Sequence, residues 1–162
     1  MKTLYLINSK NNNYHCRLAE EFRSIIPGEV IDMADGTSLG DRYYEIRDMN
    51  PDVIITFDLA GHALRTGSDT LSLNNIYARI AHILFHGSDY YGNDLRPRQN
   101  LSMFTYITDD EDISAFRERF PDIPNVAGIA PIYYKADNND ERAHNHEIIG
   151  RWWEEFKKEA ML

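Results

Sequence analysis

Cysteine is almost absent from this sequence, and so are long apolar runs and an export signal. Cys16 is the only cysteine, so no disulfide can form within the chain. No apolar run approaches the roughly 20 residues that a membrane-spanning helix needs. The first residues carry one early charge and a short apolar stretch, which Asn8 interrupts before any small-residue cleavage site. These absences predict a cytoplasmic protein with no membrane span.

Basic residues are also scarce relative to acidic ones. The chain has 17 lysines and arginines against 26 aspartates and glutamates, which gives a formal net charge of −9. An acidic surface repels the phosphate backbone, so we expect no nucleic-acid partner. A small anionic ligand is still compatible with this charge, because one or two arginines and a helix N-terminus are enough to bind it.

The short motifs that mark nucleotide and metal sites are missing. Dinucleotide-binding folds carry G-x-G-x-x-G after the first strand, whereas residues 8–13 contain no glycine. The P-loop motif is absent as well. His82 and His86 could share one face of an element, but neither a zincin glutamate nor a C-x-x-C accompanies them. We therefore expect no cofactor and no metal, and whether this histidine pair is structural or functional stays open.

What the sequence does contain is an alternation of short apolar runs and amphipathic stretches. Its 162 residues, 43% of them hydrophobic, suit one domain over 1–162 with a single core. The predicted strands are 3–7, 29–33, 53–57, about 81–85, 101–107 and 126–134, and the predicted helices are 14–26, 41–49, 74–81, 110–120 and 140–158. Length does not separate helix from strand between residues 74 and 85. This order predicts a doubly wound, mostly parallel, Rossmann-like α/β sheet with helices on both faces.

Ligands of such sheets bind beyond the carboxyl ends of the strands, near the point where the strand order reverses. That rule selects the loops 8–13, 58–69, 86–99 and 108–110. The second of them follows the β-branched strand 53–57 and is the richest in polar groups. We therefore predict the ligand site there.

The loop 58–69 offers both catalytic and binding groups. Asp58 or His62 could act as a general base, and Arg65 could bind an anion through two hydrogen bonds, with Gly61 allowing close approach. A structural interpretation is also open, in which Asp58 caps the turn, His62 is exposed to solvent and Arg65 pairs with Asp69.

Two further groups of polar residues complete the predicted ligand site. One lies at the start of the predicted helix 74–81, where asparagine is a common cap and a helix N-terminus attracts anions. The other lies at the tip of the strand near residue 85. Their members are Asn74, Asn75 and Arg79 in the first group, and His86, Ser88 and Asp89 in the second.

The last predicted helix combines an apolar side with two histidines. Trp152, Trp153 and Phe156 lie at spacings that predict packing against the sheet. His144 and His146 do not face one another on a helix, so we interpret them as surface residues.

The strand 51–57 ending at Asp58 superficially resembles the phosphoacceptor strand of a response-regulator receiver. A receiver carries an acidic pair after its first strand to hold magnesium, whereas this chain has Asn8-Ser9-Lys10. Without those carboxylates the developing phosphate charge is not neutralised, so a phosphoacceptor role is not predicted.

The order of elements from Pro51 to Tyr134 resembles the N-terminal, acceptor-side half of GT-B glycosyltransferases, especially the spore-maturation-type family. A Pro-Asp strand with a polar loop, the strand 101–107 with an acidic helix start, and the segment 125–132 carry the resemblance. It implies a domain that binds a sugar, a nucleotide-sugar or a phosphate ester. Members of that family bind the nucleotide-sugar mainly through a second Rossmann-like half. The 162 residues contain no such half, so an enzyme of this type would need a separate donor-binding subunit; the alternative is that the chain keeps the fold as a binding or regulatory module.

The leading functional expectation is thus a glycosyltransferase-like domain that binds a sugar- or phosphate-bearing small ligand and is incomplete as an enzyme alone. A non-catalytic binding module of a larger assembly is the second reading, and a small stand-alone transferase or hydrolase is the third. A homo-oligomer is compatible with each of them.

Overall fold

The computed structural model describes residues 1–10, 14–34, 39–58, 60, 64–66, 69–71, 76–85, 87–92, 95, 101–108, 110–133 and 135–162. Within them lie eight strands and four helices. The strands are β1 (Thr3–Ile7), β2 (Glu29–Asp32), β3 (Val53–Phe57), β4 (Leu64–Thr66), β5 (Asp69–Leu71), β6 (Arg79–Leu84), β7 (Met103–Ile107) and β8 (Val126–Gly128). The helices are α1 (His15–Ile25), α2 (Leu39–Met49), α3 (Asp110–Arg119) and α4 (Asn139–Glu159). None of these helices is both long enough and apolar enough to cross a membrane.

Six of the strands form one sheet in the order β2-β1-β3-β6-β7-β8, and every neighbouring pair is parallel. The predicted doubly wound α/β fold is confirmed. The chain passes from β1 to β2 on one side and then crosses to β3 on the other side of β1. The carboxyl ends of β1 and β3 therefore flank the point where the strand order reverses.

Burial explains why these segments form strands. All five residues of β1, β3 and β7 are buried, as expected for parallel strands covered on both faces. On one face the sheet packs against Phe22 of α1 and against Trp152 and Phe156 of α4. This confirms the predicted packing of the last helix. On the other face, separate apolar clusters gather around α2 and α3.

The predicted helix 74–81 is wrong over all of its described residues, since residues 76–78 are not helical and a strand follows them. Residues 79–81 belong to β6, where Arg79 lies opposite Val53 and Ile80 lies opposite Met103. A short apolar run flanked by β3 and β7 buries more completely as a central strand than as a helix turn, and only the neighbouring strands reveal this. Asn74 and Asn75 lie outside the described residues.

The predicted loop 58–69 contains a strand. β4 and β5 pair antiparallel in a small second sheet, with Arg65 opposite Thr70. The sequence between them, Gly67-Ser68, is a two-residue connection with glycine first, which is a hairpin signal. The alternation of apolar and polar residues on either side of this connection is short, so only the turn signal could have predicted the two strands.

The sixth predicted strand, 126–134, is shorter than expected. β8 ends at Gly128, and the chain continues without strand pairing to Tyr133. Asn145 of α4 is buried and bonds the backbone of Tyr133 on both sides, since its Oδ1 accepts from the N–H at 2.8 Å and its Nδ2 donates to the carbonyl at 3.1 Å. The Asn145 side chain thus provides the hydrogen bonds that a neighbouring strand would otherwise make to Tyr133.

Candidate functional site

Asp58 occupies the centre of the carboxyl edge, directly after β3. Its N–H donates to the carbonyl of Ile83 at 2.8 Å, which continues the pairing of β3 with β6 for one more residue. Its backbone then turns into the left-handed region, with φ of 54°. Aspartate is one of the few residues that adopt this conformation at low cost. The turn directs a carboxylate that is 6% exposed into the interior.

Three donors surround the Asp58 carboxylate. The hydroxyl of Tyr14 and the Nε2 of His15, at 3.0 Å, both bond Oδ2. The N–H of Phe85, at the end of β6, approaches Oδ1 at 3.5 Å. A buried carboxylate is stable when such donors replace the water that it has lost. Asp58 thereby joins the start of α1 to the ends of β3 and β6.

His15 has both ring nitrogens engaged. Its Nδ1 accepts the N–H of Asn8 at 3.1 Å, so we infer that the proton is on Nε2 and is donated to Asp58. The side chain is 0% exposed. The ring therefore connects Asn8, at the start of the first loop, to Asp58.

The sequence contained a signal for this histidine that the predictions missed. His15 shares the buried face of α1 with Leu18, Ala19 and Phe22, so a polar ring occupies an apolar position of the helix. Tyr14 lies edge-to-face against it, with ring centroids 5.0 Å apart. A histidine on an apolar face requires polar partners in the interior, and the nearest strand end supplies Asp58.

A second carboxylate at the same edge, that of Asp32, also bonds the start of the first loop. Asp32, at the end of β2, accepts from the Ser9 hydroxyl, from the Ser9 N–H at 3.2 Å and from the Ala34 N–H at 3.0 Å. Burial raises the pKa of Asp32, but these hydrogen bonds and the charge of Arg42 outweigh it and hold the pKa below its usual 3.8.

The predicted site residues do not all meet at this edge. Asp58 does lie there. Arg79 lies at the amino end of β6, at the opposite edge of the sheet, and its Nε donates to the Ala160 carbonyl at 3.0 Å. Asp89 is exposed in a short 3-10 helix, Gly87–Tyr90, which also contains the backbone of Ser88. The backbone of Arg65 lies in β4.

The remaining predicted site residues, Gly61, His62, Asn74, Asn75 and His86, lie outside the described residues.

His82 lies in the middle of the sheet. It is 1% exposed in β6, in register with Thr56 of β3 and Thr105 of β7. A row of polar residues therefore crosses the three central strands between the apolar clusters around α2 and α3. The described part of the chain contains no group of three or more histidine, cysteine, aspartate or glutamate side chains that could hold a metal.

Clefts lined by described residues lie apart from Asp58. One of about 290 Å³ lies between α1 and the start of α4, and its lining includes Glu21 and His146. A more apolar groove of about 360 Å³ is lined by residues 131–133 and His144. The His146 side chain is 41% exposed, as expected of a surface residue, and its Nε2 lies 3.0 Å from the Glu21 carboxylate, so it also connects α4 to α1.

Comparison with known proteins does not extend these observations: no protein-family model, curated protein or solved structure matches the chain.

Proposed function

We propose that this protein is a ligand-binding α/β domain that takes a sugar- or phosphate-bearing small molecule at the carboxyl edge of its sheet, beside β1 and β3. The proposal keeps the ligand class that the glycosyltransferase-like resemblance implies, and it assigns binding rather than catalysis to this domain.

One observation supports this position above the others. The strand order reverses between β1 and β3, and the segments that follow these strands are joined by the Asp58–His15–Asn8 hydrogen bonds. Crevices at such reversals are the usual ligand sites of open α/β sheets. Here the start of the first loop, Asn8 and Ser9, is hydrogen-bonded before any ligand arrives, which lowers the ordering cost of binding.

The same contacts favour binding over catalysis for the described groups. A general base needs a lone pair within reach of the substrate proton. The Asp58 carboxylate instead accepts from Tyr14 and His15 and is buried. We assign Asp58 as a positioning residue, with His62 and Arg65 of the following segment as the proposed ligand contacts.

Ligand-induced thermal stabilisation tests the proposal. The chain is screened against nucleoside diphosphates, nucleotide-sugars and sugar phosphates, and a member of this panel is expected to raise Tm by about 2 °C or more. His62→Ala and Arg65→Ala are expected to abolish the rise. Arg79→Lys is the matched control, since Arg79 lies at the opposite edge and its variant should keep the full response.

A panel without any stabilising member would contradict the proposal. A response that survives in both loop variants would place the ligand elsewhere. Release of nucleoside diphosphate from a nucleotide-sugar by the chain alone would instead support the stand-alone transferase or hydrolase.

A further inference from the structure

The cleft between α1 and α4 is built from charged residues of both signs. Its lining consists of Arg17, Glu20, Glu21 and Ser24 from α1, and Ala136, Arg142 and His146 from α4 and the residues before it. The volume of about 290 Å³ lies at the lower end of the range for small-molecule pockets. The cleft shares no residue with the ligand site proposed above.

The floor of the cleft is held by contacts between the two helices. Nε2 of His146 lies 3.0 Å from a carboxylate oxygen of Glu21 and 3.1 Å from the hydroxyl oxygen of Ser24. The Ser24 hydroxyl donates to the Glu21 carbonyl at 2.6 Å and so accepts from the imidazole. Nε2 of His146 thus bonds Ser24 and lies within ion-pair distance of Glu21, whose buried Oε2 accepts no hydrogen bond from the described residues.

The two arginines lie at the same end of the cleft. Arg17 precedes Glu21 by one helical turn, and Arg142 precedes His146 by one turn. Both helices cover the same face of the sheet and run in the same direction, so both guanidinium groups are on the side of the helix N-termini. That end attracts anionic groups.

The charges of Arg17, Glu20 and Arg142 do not neutralise one another. Arg142 and Glu20 form no ion pair with any described residue, although both line this cleft. Arg17 reaches Asp137 only at 3.6 Å, and both side chains of that pair are more than half exposed, so the contact is weak. A guanidinium and a carboxylate that line one cleft without pairing can bind the two ends of a dipolar ligand.

We propose that this cleft binds a zwitterionic small molecule of the α-amino-acid type. Its carboxylate contacts Arg17 and Arg142, and its ammonium group contacts Glu20. A purely anionic ligand would be repelled by Glu20, and a purely cationic one by the two arginines.

Calorimetric titration and thermal shift with free amino acids test this proposal on the full chain. At about 10 mM ligand, at least one common amino acid is expected to raise Tm by about 2 °C or more. Its methyl ester lacks the negative charge, and its N-acetyl derivative lacks the positive charge. Each derivative should bind with an affinity at least about tenfold lower than that of the parent amino acid. A panel with no stabilising amino acid, or a derivative that binds as well as the parent, would overturn the proposal.

Variants locate the ligand. Arg142→Gln and Glu20→Gln remove exposed charges without breaking a described ion pair, so both should fold and weaken binding about tenfold. Glu147→Gln is the control, because Glu147 is exposed on α4 outside the cleft and pairs with Arg151 at 2.6 Å. Undiminished binding in Arg142→Gln, or equal weakening in the control, would contradict the assignment. Loss of a nucleotide-sugar response would leave this result unaffected, so the two proposals fail separately.

Discussion

The two edges of the sheet are held together in different ways. At the carboxyl edge a buried carboxylate, Asp58, gathers donors from two other elements. At the amino edge the contacts are smaller and more exposed: Arg79 donates to one carbonyl of the C-terminal residues at 3.0 Å, and Asp52 accepts from the Lys2 N–H at 2.6 Å. A buried charge must be satisfied completely, whereas an exposed one can return to water. The carboxyl edge should therefore be the more sensitive to substitution.

Left-handed backbone occurs at both edges, with different consequences. At the amino edge it is adopted by Asn50, directly after α2, and by Asn125, directly before β8, where φ is 48° and 56°. The Asn125 amide bonds the carbonyls of the neighbouring loop and strand at 3.1 and 3.2 Å. At the carboxyl edge the same backbone conformation instead presents the Asp58 carboxylate to the interior. Both edges thus contain left-handed turns, but of these turn residues only Asp58, at the carboxyl edge, carries a charged side chain, and that side chain is buried.

The largest expected effect is that of Asp58→Asn. Asparagine retains the left-handed backbone but replaces one carboxylate oxygen by an NH2 group, which in either orientation of the amide opposes a donor, from Tyr14 and His15 or from Phe85. The free energy of unfolding should fall by about 3 kcal/mol, measured by urea denaturation. A loss below about 1 kcal/mol would show that the network contributes no more than an exposed contact.

Tyr14→Phe should have an intermediate effect. It removes one charge-assisted hydrogen bond to Asp58 and keeps the ring against His15, so we expect a loss of about 1–2 kcal/mol. Tyr44→Phe is the control, because Tyr44 is 50% exposed on α2 and its change should stay within about 0.5 kcal/mol. Equal losses of unfolding free energy in the two variants would contradict the greater sensitivity of the carboxyl edge.

At the amino edge, Arg79→Gln should cost about 1 kcal/mol or less. The substitution removes a single, partly buried hydrogen bond to the Ala160 carbonyl, to which water retains access. Urea denaturation in parallel with Asp58→Asn measures the difference between the edges directly. A loss as large as that of Asp58→Asn would reverse the comparison.

The smallest effect is a pH dependence from Asp32. Its pKa is held below 3.8 in the folded state, so its contribution to stability is fully present above pH 3.8 and is lost as pH falls through the lowered value. Asp32→Asn should therefore lower Tm at neutral pH, and the difference from the wild-type chain should shrink at pH values below 3.8. A Tm difference that is constant across this range would mean that the carboxylate charge contributes nothing.

Hydrophobic pattern was sufficient for most of the sheet but not for the site. The apolar runs that became β1, β3 and β7 and the amphipathic stretches that became α1 and α4 were predictable, because their burial follows from local spacing. β6 was placed wrongly at its start, since a run of its length becomes strand or helix according to its neighbours. Asp58 was selected as a residue of the carboxyl edge, but its partners Tyr14 and His15 were not.

The sequence by itself determined the α/β alternation, the parallel sheet that follows from it, and the placement of a polar residue directly after the central strand. These features are predictable because local spacing and strand propensity act over only a few residues. Only the tertiary structure decided what Asp58 does. Its hydrogen-bond partners His15 and Tyr14 are 43 and 44 positions away along the chain. They reach it only because β1 and β3 are neighbours at the reversal of strand order.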